Sequence, residues 1–190
     1  ENFSSVNVIS EKAALSVTGQ TVVIQNTGGG YGLGINNRVS VQLFAGRYSG
    51  GKAAIIVGND LTLGNLLGYT DNTRYAYFDS TGTNPFTGKL AEKLLTGTVT
   101  VKECSHTGDG VCEYTHNSGA TTHQKTCLAC GLVESAEKCS VDGTGKCRFC
   151  DAVLAVRLSA DQALIYNGTE QKPDVTVTVD GQTLTAENHY

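Results

Sequence analysis

All seven cysteines of this 190-residue chain fall within residues 104–150, together with His106, His116 and His123, three of its four histidines. No other feature restricts the fold as much. Two Cys-x-x-Cys pairs, Cys127-Leu-Ala-Cys130-Gly131 and Cys147-Arg-Phe-Cys150-Asp151, stand sixteen residues apart. Each pair makes a tight turn that aims two thiolates at one point, which is the spacing of metal ligands. A polar segment of about 45 residues, with turn sequences at Asn117-Ser-Gly119 and Asp142-Gly-Thr-Gly145, buries too little apolar surface to hold itself together. It needs disulfides or a metal.

The residues alone leave both answers open. Oxidised in an exported protein, seven cysteines leave one odd thiol. Bound to metal, Cys127, Cys130, Cys147 and Cys150 make one four-thiolate site of zinc-ribbon spacing. Cys104, Cys112 and Cys139 with one histidine then make a second. Seven cysteines and one histidine fill two tetrahedral sites, which accounts for the odd number. His106 and His123 are the leading histidine candidates, ahead of His116. Four thiolates leave no position for water or substrate, and no His-Glu-x-x-His pattern occurs. If the metal reading holds, one or two structural zinc ions are expected.

The rest of the chain reads as β-structure. Short apolar runs at 6–9, 14–17, 21–24, 39–43 and 53–57 are broken by Gly and Asn. Val39, Val41 and Leu43 alternate with Ser40 and Gln42, the period of a half-buried strand. A sandwich or a β-solenoid satisfies this pattern. Residues 61–67 are expected as a short helix and 90–95 as a further helical turn, with strands at 75–79 and 96–101. Leu154, Val156 and Leu158 alternate, as do Val175, Val177 and Val179, and Asp180-Gly181 marks a hairpin turn.

Several chemistries are excluded or weak. The net charge of −4 gives no basic surplus for nucleic acid. No apolar run approaches the ~18 residues of a membrane span, so no membrane insertion is expected. With neither initiator Met nor signal peptide, the chain reads as cut from a longer protein. Gly46-Arg-Tyr-Ser-Gly-Gly51-Lys52 approaches a phosphate loop, but Ala53 replaces the Ser or Thr and β-like residues follow where a helix should begin. Gly28-Gly-Gly-Tyr-Gly-Leu-Gly34 reads as a turn with positive φ angles. Asp60 with Asn59 is a weak calcium candidate, and Asp71 and Asp79 lie near turns. Asn167-Gly-Thr169 reads as a turn rather than a glycosylation site, and His189 as a solvated residue.

Three resemblances add to this. Gly30-Tyr-Gly-Leu-Gly34, Val41-Gln-Leu-Phe-Ala-Gly-Arg-Tyr-Ser-Gly50, Leu66-Leu-Gly-Tyr69 and Tyr75-Ala-Tyr-Phe-Asp79 resemble the last rungs of right-handed parallel β-helices in large cell-surface proteins of Gram-positive gut Firmicutes. Ala45-Gly46 replaces the usual Gly pair, and an insertion separates Leu67 from Tyr75. The resemblance covers residues 31–101 and implies a C-terminal cap, because a last coil leaves an apolar end and unpaired strand edges in water. The cysteine stretch is similar to a repeat of the same proteins at Cys104-Ser-His106, at Thr122-His123 through Gly131, at Cys139 and at the pair Cys147 and Cys150. Asp151 stands where Gly is usual, and Cys112 and His116 are additional. This resemblance implies zinc. Ile165-Tyr-Asn-Gly-Thr-Glu-Gln-Lys-Pro173 with Asp174-Val-Thr-Val177 is similar to the opening strands of bacterial immunoglobulin-like repeats. There, Asn188-His-Tyr190 replaces the usual Asp-Tyr step, and about four of some seven strands fit.

The expected organisation is thus mostly β. Residues 1–103 are the end of a right-handed parallel β-helix with its cap, 104–151 a small zinc-ribbon-like module, and 152–190 a partial immunoglobulin-like β-sandwich. What the resemblances imply is a non-catalytic part of an adhesin-like protein, at the bacterial cell surface or secreted. Its ligand would be a host glycan or a secreted host protein, an immunoglobulin among the candidates. Tyr31, Phe44, Tyr48, Tyr69, Tyr75 and Tyr77 are candidate contact residues, with rung stacking as the competing role. The alternative is the C-terminal part of a carbohydrate-active β-helix enzyme, a polysaccharide lyase or glycosidase, with its active site upstream. No acid/base dyad, nucleophile–histidine pair or cofactor loop stands out in this chain.

Overall fold

The computed structural model describes residues 4–9, 13–36, 40–58, 60–108, 110–158, 168–170 and 175–183. Among them the secondary structure is β, with one 3₁₀ turn and no α-helix. Among the described residues no helix is long and apolar enough to cross a membrane. The chain divides into two compact units. One is Glu1–Glu113 with Cys127–Leu132, the other Tyr114–Thr126 with Val133–Tyr190.

The first unit begins with β1 (Ser4–Val8), β2 (Ala14–Val17), β3 (Val23–Gln25), β4 (Tyr31–Ile35), β5 (Ser40–Leu43), β6 (Gly46–Ser49) and β7 (Ala53–Val57). The first four each pair in parallel with the strand three places on: β1 with β4, β4 with β7, β2 with β5 and β3 with β6. The register sets like against like. Val6 faces Leu33 and Leu33 faces Ile55. Val17 faces Leu43, which bridges in parallel to Leu67. In β5 the alternation holds, with Val41 and Leu43 buried and Ser40 and Gln42 exposed.

Leu33, Leu43, Tyr48 and Ile55 are wholly buried. Burying a side chain of this size contributes roughly 1.5–3 kcal/mol. Tyr48 and Tyr77 also bury their hydroxyls, which donate to Ala45 O at 2.9 Å and Leu63 O at 2.8 Å. Burial pushes both phenols up, and Tyr48 adds to the effect at Tyr77.

The parallel order stops after β7. A 3₁₀ turn at Leu63–Leu66 lies within the expected short helix and buries Leu63 and Leu66. Then come β8 (Tyr75–Phe78), β9 (Leu94–Leu95) and β10 (Thr98–Glu103). β9 lies antiparallel to β7, and β10 lies antiparallel to both β6 and β8. The helical turn expected over 90–95 does not form. Its carbonyls are engaged elsewhere: Lys93 O accepts from Val57 N–H, Glu92 O from Leu63 N–H and Leu90 O from Gly64 N–H. A helical turn needs those carbonyls for itself.

The run 28–34 also departs from expectation. Tyr31–Ile35 is a strand, and no glycine in the run has positive φ. Here glycine answers crowding. A Cβ on Gly32 would stand 2.5 Å from Ser49 O and 2.6 Å from Ala54 O. Gly46–Ser49 is likewise a strand, and the next element, Ala53–Val57, is a strand rather than a helix. That removes the phosphate-loop context.

Further along the chain, β11 (Cys112–His116), β12 (Thr122–Cys127) and β13 (Glu137–Lys138) form a three-stranded sheet in that order. β14 (Leu154–Leu158), β15 (Val175–Val179) and β16 (Gln182–Thr183) form another, antiparallel throughout. Asp180 and Gly181, with φ of 49° and 80°, make the expected hairpin turn between β15 and β16. Val177 and Val179 are buried with Leu154 packed against them. Val39, Asn59, the Ile165–Asn167 and Gln171–Asp174 parts of the immunoglobulin-like resemblance, and His189 lie outside the described residues.

Candidate metal centres

Two groups of four donors converge, one in each unit. Cys104, His106, Cys127 and Cys130 form the first; His123, Cys139, Cys147 and Cys150 form the second. Within each group the ligating atoms all lie within 4.8 Å of one another.

The first group is brought together by two turns. At Cys127-Leu-Ala-Cys130-Gly131, the Gly131 N–H donates to Cys127 O at 2.8 Å and the Cys127 N–H to Leu132 O at 2.8 Å. Gly131 has φ of 75°, a left-handed position where a side chain is disfavoured. The other turn is Cys104-Ser-His106. His106 has φ of 55°, unusual for a non-glycine residue. Its Nδ1 stands 3.4 Å from Cys130 Sγ, and Cys104 Sγ stands 3.6 Å from Cys127 Sγ.

The second group repeats the plan. His123 on β12 is 1% exposed and sets Nδ1 3.5 Å from Cys147 Sγ. Cys139 Sγ lies 3.9 Å from Cys150 Sγ. The approach to Cys147 is fixed by Asp142. Its Oδ1 accepts from Thr144 N–H at 2.8 Å, Thr144 Oγ1 at 2.7 Å and Lys146 N–H at 3.2 Å. Cys147 N–H then donates to Ala152 O at 2.9 Å. Tyr114 and Phe149 pack on the His123 ring, with centroids 5.2 and 5.5 Å away.

These distances discriminate between the two sequence readings. A disulfide needs sulfurs about 2.0 Å apart. A tetrahedral ion with bonds of about 2.3 Å to sulfur and about 2.0 Å to nitrogen has sulfur–sulfur edges near ~3.8 Å and sulfur–nitrogen edges near ~3.5 Å. The observed sulfur–sulfur separations of 3.6 and 3.9 Å and sulfur–nitrogen separations of 3.4 and 3.5 Å match the tetrahedron. All seven cysteines are free thiols.

The backbone favours thiolate. Cys104 receives the amide of His106, Cys130 that of Leu132, Cys147 that of Phe149 and Cys150 that of Ala152. Each donor is two residues past its cysteine, a repeat set by the local turn. In the first group, the bond to Cys130 is the main cause lowering Cys104 to about 5, and the same bond with burial raises Cys130. In the second, burial pushes Cys147 up, but the amides of Phe149 and Cys150 and the neighbouring thiols bring it down to about 6. Burial, with bonds to Cys147 and Cys150, pushes Cys139 up to about 12. Burial is also the first cause raising Cys150. The first group thus sets one readily ionised thiol, Cys104, beside the raised Cys130, and the second sets Cys147 beside the raised Cys139 and Cys150; a divalent cation would deprotonate the raised thiols.

The expected partnership of the two Cys-x-x-Cys pairs is corrected. Cys127 and Cys130 meet Cys104 and His106, whereas Cys147 and Cys150 meet His123 and Cys139. The eight donors are six cysteines and two histidines rather than seven and one. Cys112, expected as a ligand, lies in neither group; its Sγ donates to His106 O at 3.3 Å. His116 lies outside both as well, with Nε2 2.8 Å from Ala120 O and Nδ1 3.2 Å from Asp180 Oδ2. The regrouping had a signal in the sequence. Cys139 lies between the two Cys-x-x-Cys pairs, and Cys104-x-His106 is a donor pair of its own, so each Cys-x-x-Cys had separate partners available.

Of the candidate contact aromatics, Tyr48 and Tyr77 are core residues and offer no surface. Tyr69 is 62% exposed, with the Arg74 guanidinium 4.9 Å over its ring. Phe44 and Tyr75 meet edge to face at 5.2 Å and line a cleft of about 340 Å³ with Thr18, Gln20 and Thr70. The oxygens of Asp79 are occupied by Thr81, Thr83 and Asn84. Those bonds, Thr81 first and then Asn84, hold its carboxyl well below the usual range.

Comparison with known proteins gives no identification: no family model, no curated protein and no solved structure matches the chain.

Proposed function

We propose that this chain is a non-catalytic, ligand-presenting part of an adhesin-like bacterial surface or secreted protein, stapled by two structural zinc ions. The stacked order of β1 to β7 is read as the last coils of a parallel β-helix, and β8 to β10 as the antiparallel cap over its end. A solenoid supplies length and an extended face rather than a reactive pocket. The β14–β16 sheet is read as part of an immunoglobulin-like domain.

The observation that carries the reading is the closure of both donor groups. Cys104, His106, Cys127 and Cys130 would hold one ion, and His123, Cys139, Cys147 and Cys150 the other. Four protein donors fill a tetrahedral zinc site and leave no position for water or substrate. Zinc would supply cross-linking and charge neutralisation to a segment short of apolar surface. The ion would keep the thiolates ionised, the turns at Gly131 and Asp142 would hold their direction, and Tyr114 and Phe149 would shield His123.

The ligand proposed is a host glycan or secreted host protein. The cleft beside Phe44 and Tyr75 suits a sugar, pairing an aromatic wall with Thr18, Gln20 and Thr70 as hydrogen-bonding groups. Screening the zinc-loaded chain against a glycan array and against serum and mucosal proteins tests this. Saturable binding without turnover is expected. Cleavage of a polysaccharide by this chain alone would overturn it.

A further inference from the structure

The second donor group has a carboxylate at its back. Strands β12 and β13 pair antiparallel, and their register sets His123 directly opposite Glu137. Residues so placed share a face of the sheet, with Cβ atoms about 5 Å apart. His123 Nδ1 points at Cys147 Sγ, and Nε2 points the other way, with Glu137 Oε2 3.8 Å from it. Nε2 is buried and has no hydrogen-bond partner. A buried imidazole nitrogen without a partner is costly to keep, and 3.8 Å is too long for a hydrogen bond. Glu137 is half-exposed, so its side chain has room to close that distance. Tyr114 and Phe149 pack against the same ring.

We propose that Glu137 is the positioning carboxylate of the second metal site. It accepts the Nε2–H of His123 when the ion is bound. This fixes the tautomer in which Nδ1 carries the lone pair, and it strengthens Nδ1 as a donor. The cation draws electron density from the ring and makes Nε2–H a better donor, so ion and carboxylate reinforce each other across the imidazole. The inference rests on the zinc reading of the Cys/His group.

The test uses the full chain and its Glu137→Ala, Glu137→Gln and Glu134→Ala variants, the last as a control because Glu134 pairs with Lys125 at 3.0 Å instead. Zinc is titrated against a chromophoric chelator, and native mass spectrometry counts ions. Glu137→Ala is expected to keep the first ion at wild-type affinity and to bind the second about 10- to 100-fold more weakly. Glu137→Gln falls between, since its amide oxygen still accepts the bond without charge. Glu134→Ala matches wild type. 1H–15N spectra of the zinc-loaded chain read the Nε2–H of His123 through its shift and its exchange with solvent. Wild type and Glu137→Gln show that proton downfield and in slow exchange, and Glu137→Ala shows it upfield and in faster exchange. A merely structural role would lower stability and leave that proton unmoved. A second ion held equally well by Glu137→Ala, with an unchanged Nε2–H, overturns this proposal alone. A wild-type chain that takes no second ion overturns the metal reading beneath it.

Discussion

Cys104 Sγ and Cys127 Sγ stand 3.6 Å apart across twenty-three residues of chain. That is far longer than a disulfide and close to the edge of a tetrahedron around zinc. The same edge length recurs between Cys139 and Cys150, at 3.9 Å. The two groups resemble each other in composition as well, three cysteines and one histidine each, with both histidines offering Nδ1.

Cys112 supplies the first prediction. Its thiol holds the His106 carbonyl from outside the donor group. Cys112→Ser keeps a hydroxyl for that bond and should retain both ions. Cys104→Ser should lose the first ion, with affinity falling at least about 10-fold. Zinc counting by native mass spectrometry separates the two. Loss of an ion from Cys112→Ser would return Cys112 to the ligand set.

Protons should leave when metal enters. At neutral pH Cys104 and Cys147, lowered to about 5 and about 6, carry charge, while Cys130, Cys139 and Cys150 hold protons. Zinc binding at pH 7 should therefore release protons, measured by calorimetry in buffers of differing ionisation enthalpy. For the metal-free fold the signs divide. Cys104 and Cys147, depressed below the unfolded thiol value, stabilise fully above that value, about 9, and lose this as pH falls through 6 and 5. Cys139, raised to about 12, contributes fully below the unfolded value of about 9 and loses this as pH rises from there through 12. Acidification through pH 6 to 5 should strip the metal. Binding without proton release would contradict this ionisation pattern.

Gly32→Ala tests the packing of the first unit. The new Cβ would meet two backbone carbonyl oxygens, Ser49 O and Ala54 O, which cannot move aside as a side chain tip would. Destabilisation of about 1–3 kcal/mol is expected in urea unfolding. Gly88→Ala, with open space around it but φ of 71°, should cost about 1 kcal/mol. A neutral Gly32→Ala would mean that β4 and β6 do not approach so closely.

The alternation in β5 and the Asp180-Gly181 turn were legible because both are local: a two-residue period and a left-handed dipeptide each state their own conformation. Tyr31–Ile35 was not, because Gly32 serves a close approach to Ser49 and Ala54, and Gly34 one to Ser4, that no local window contains. The 90–95 segment misled for a related reason, its carbonyls being taken by Val57, Leu63 and Gly64 from elsewhere in the chain. At the metal groups the donor types were readable and their partners were not. Cys-x-x-Cys spacing sets the direction of a turn, but which donors arrive opposite is decided by tertiary structure, as is Glu137 through its register with His123.

Zinc counting on Cys127→Ser/Cys130→Ser and Cys147→Ser/Cys150→Ser beside wild type tests the central claim most directly. Two separate closed sites predict two ions in the wild-type chain and one in each double variant. A single ion in wild type, absent from both variants, would mean that the two pairs share one site, and three disulfides with no ion would mean that the thiols are not a metal set at all.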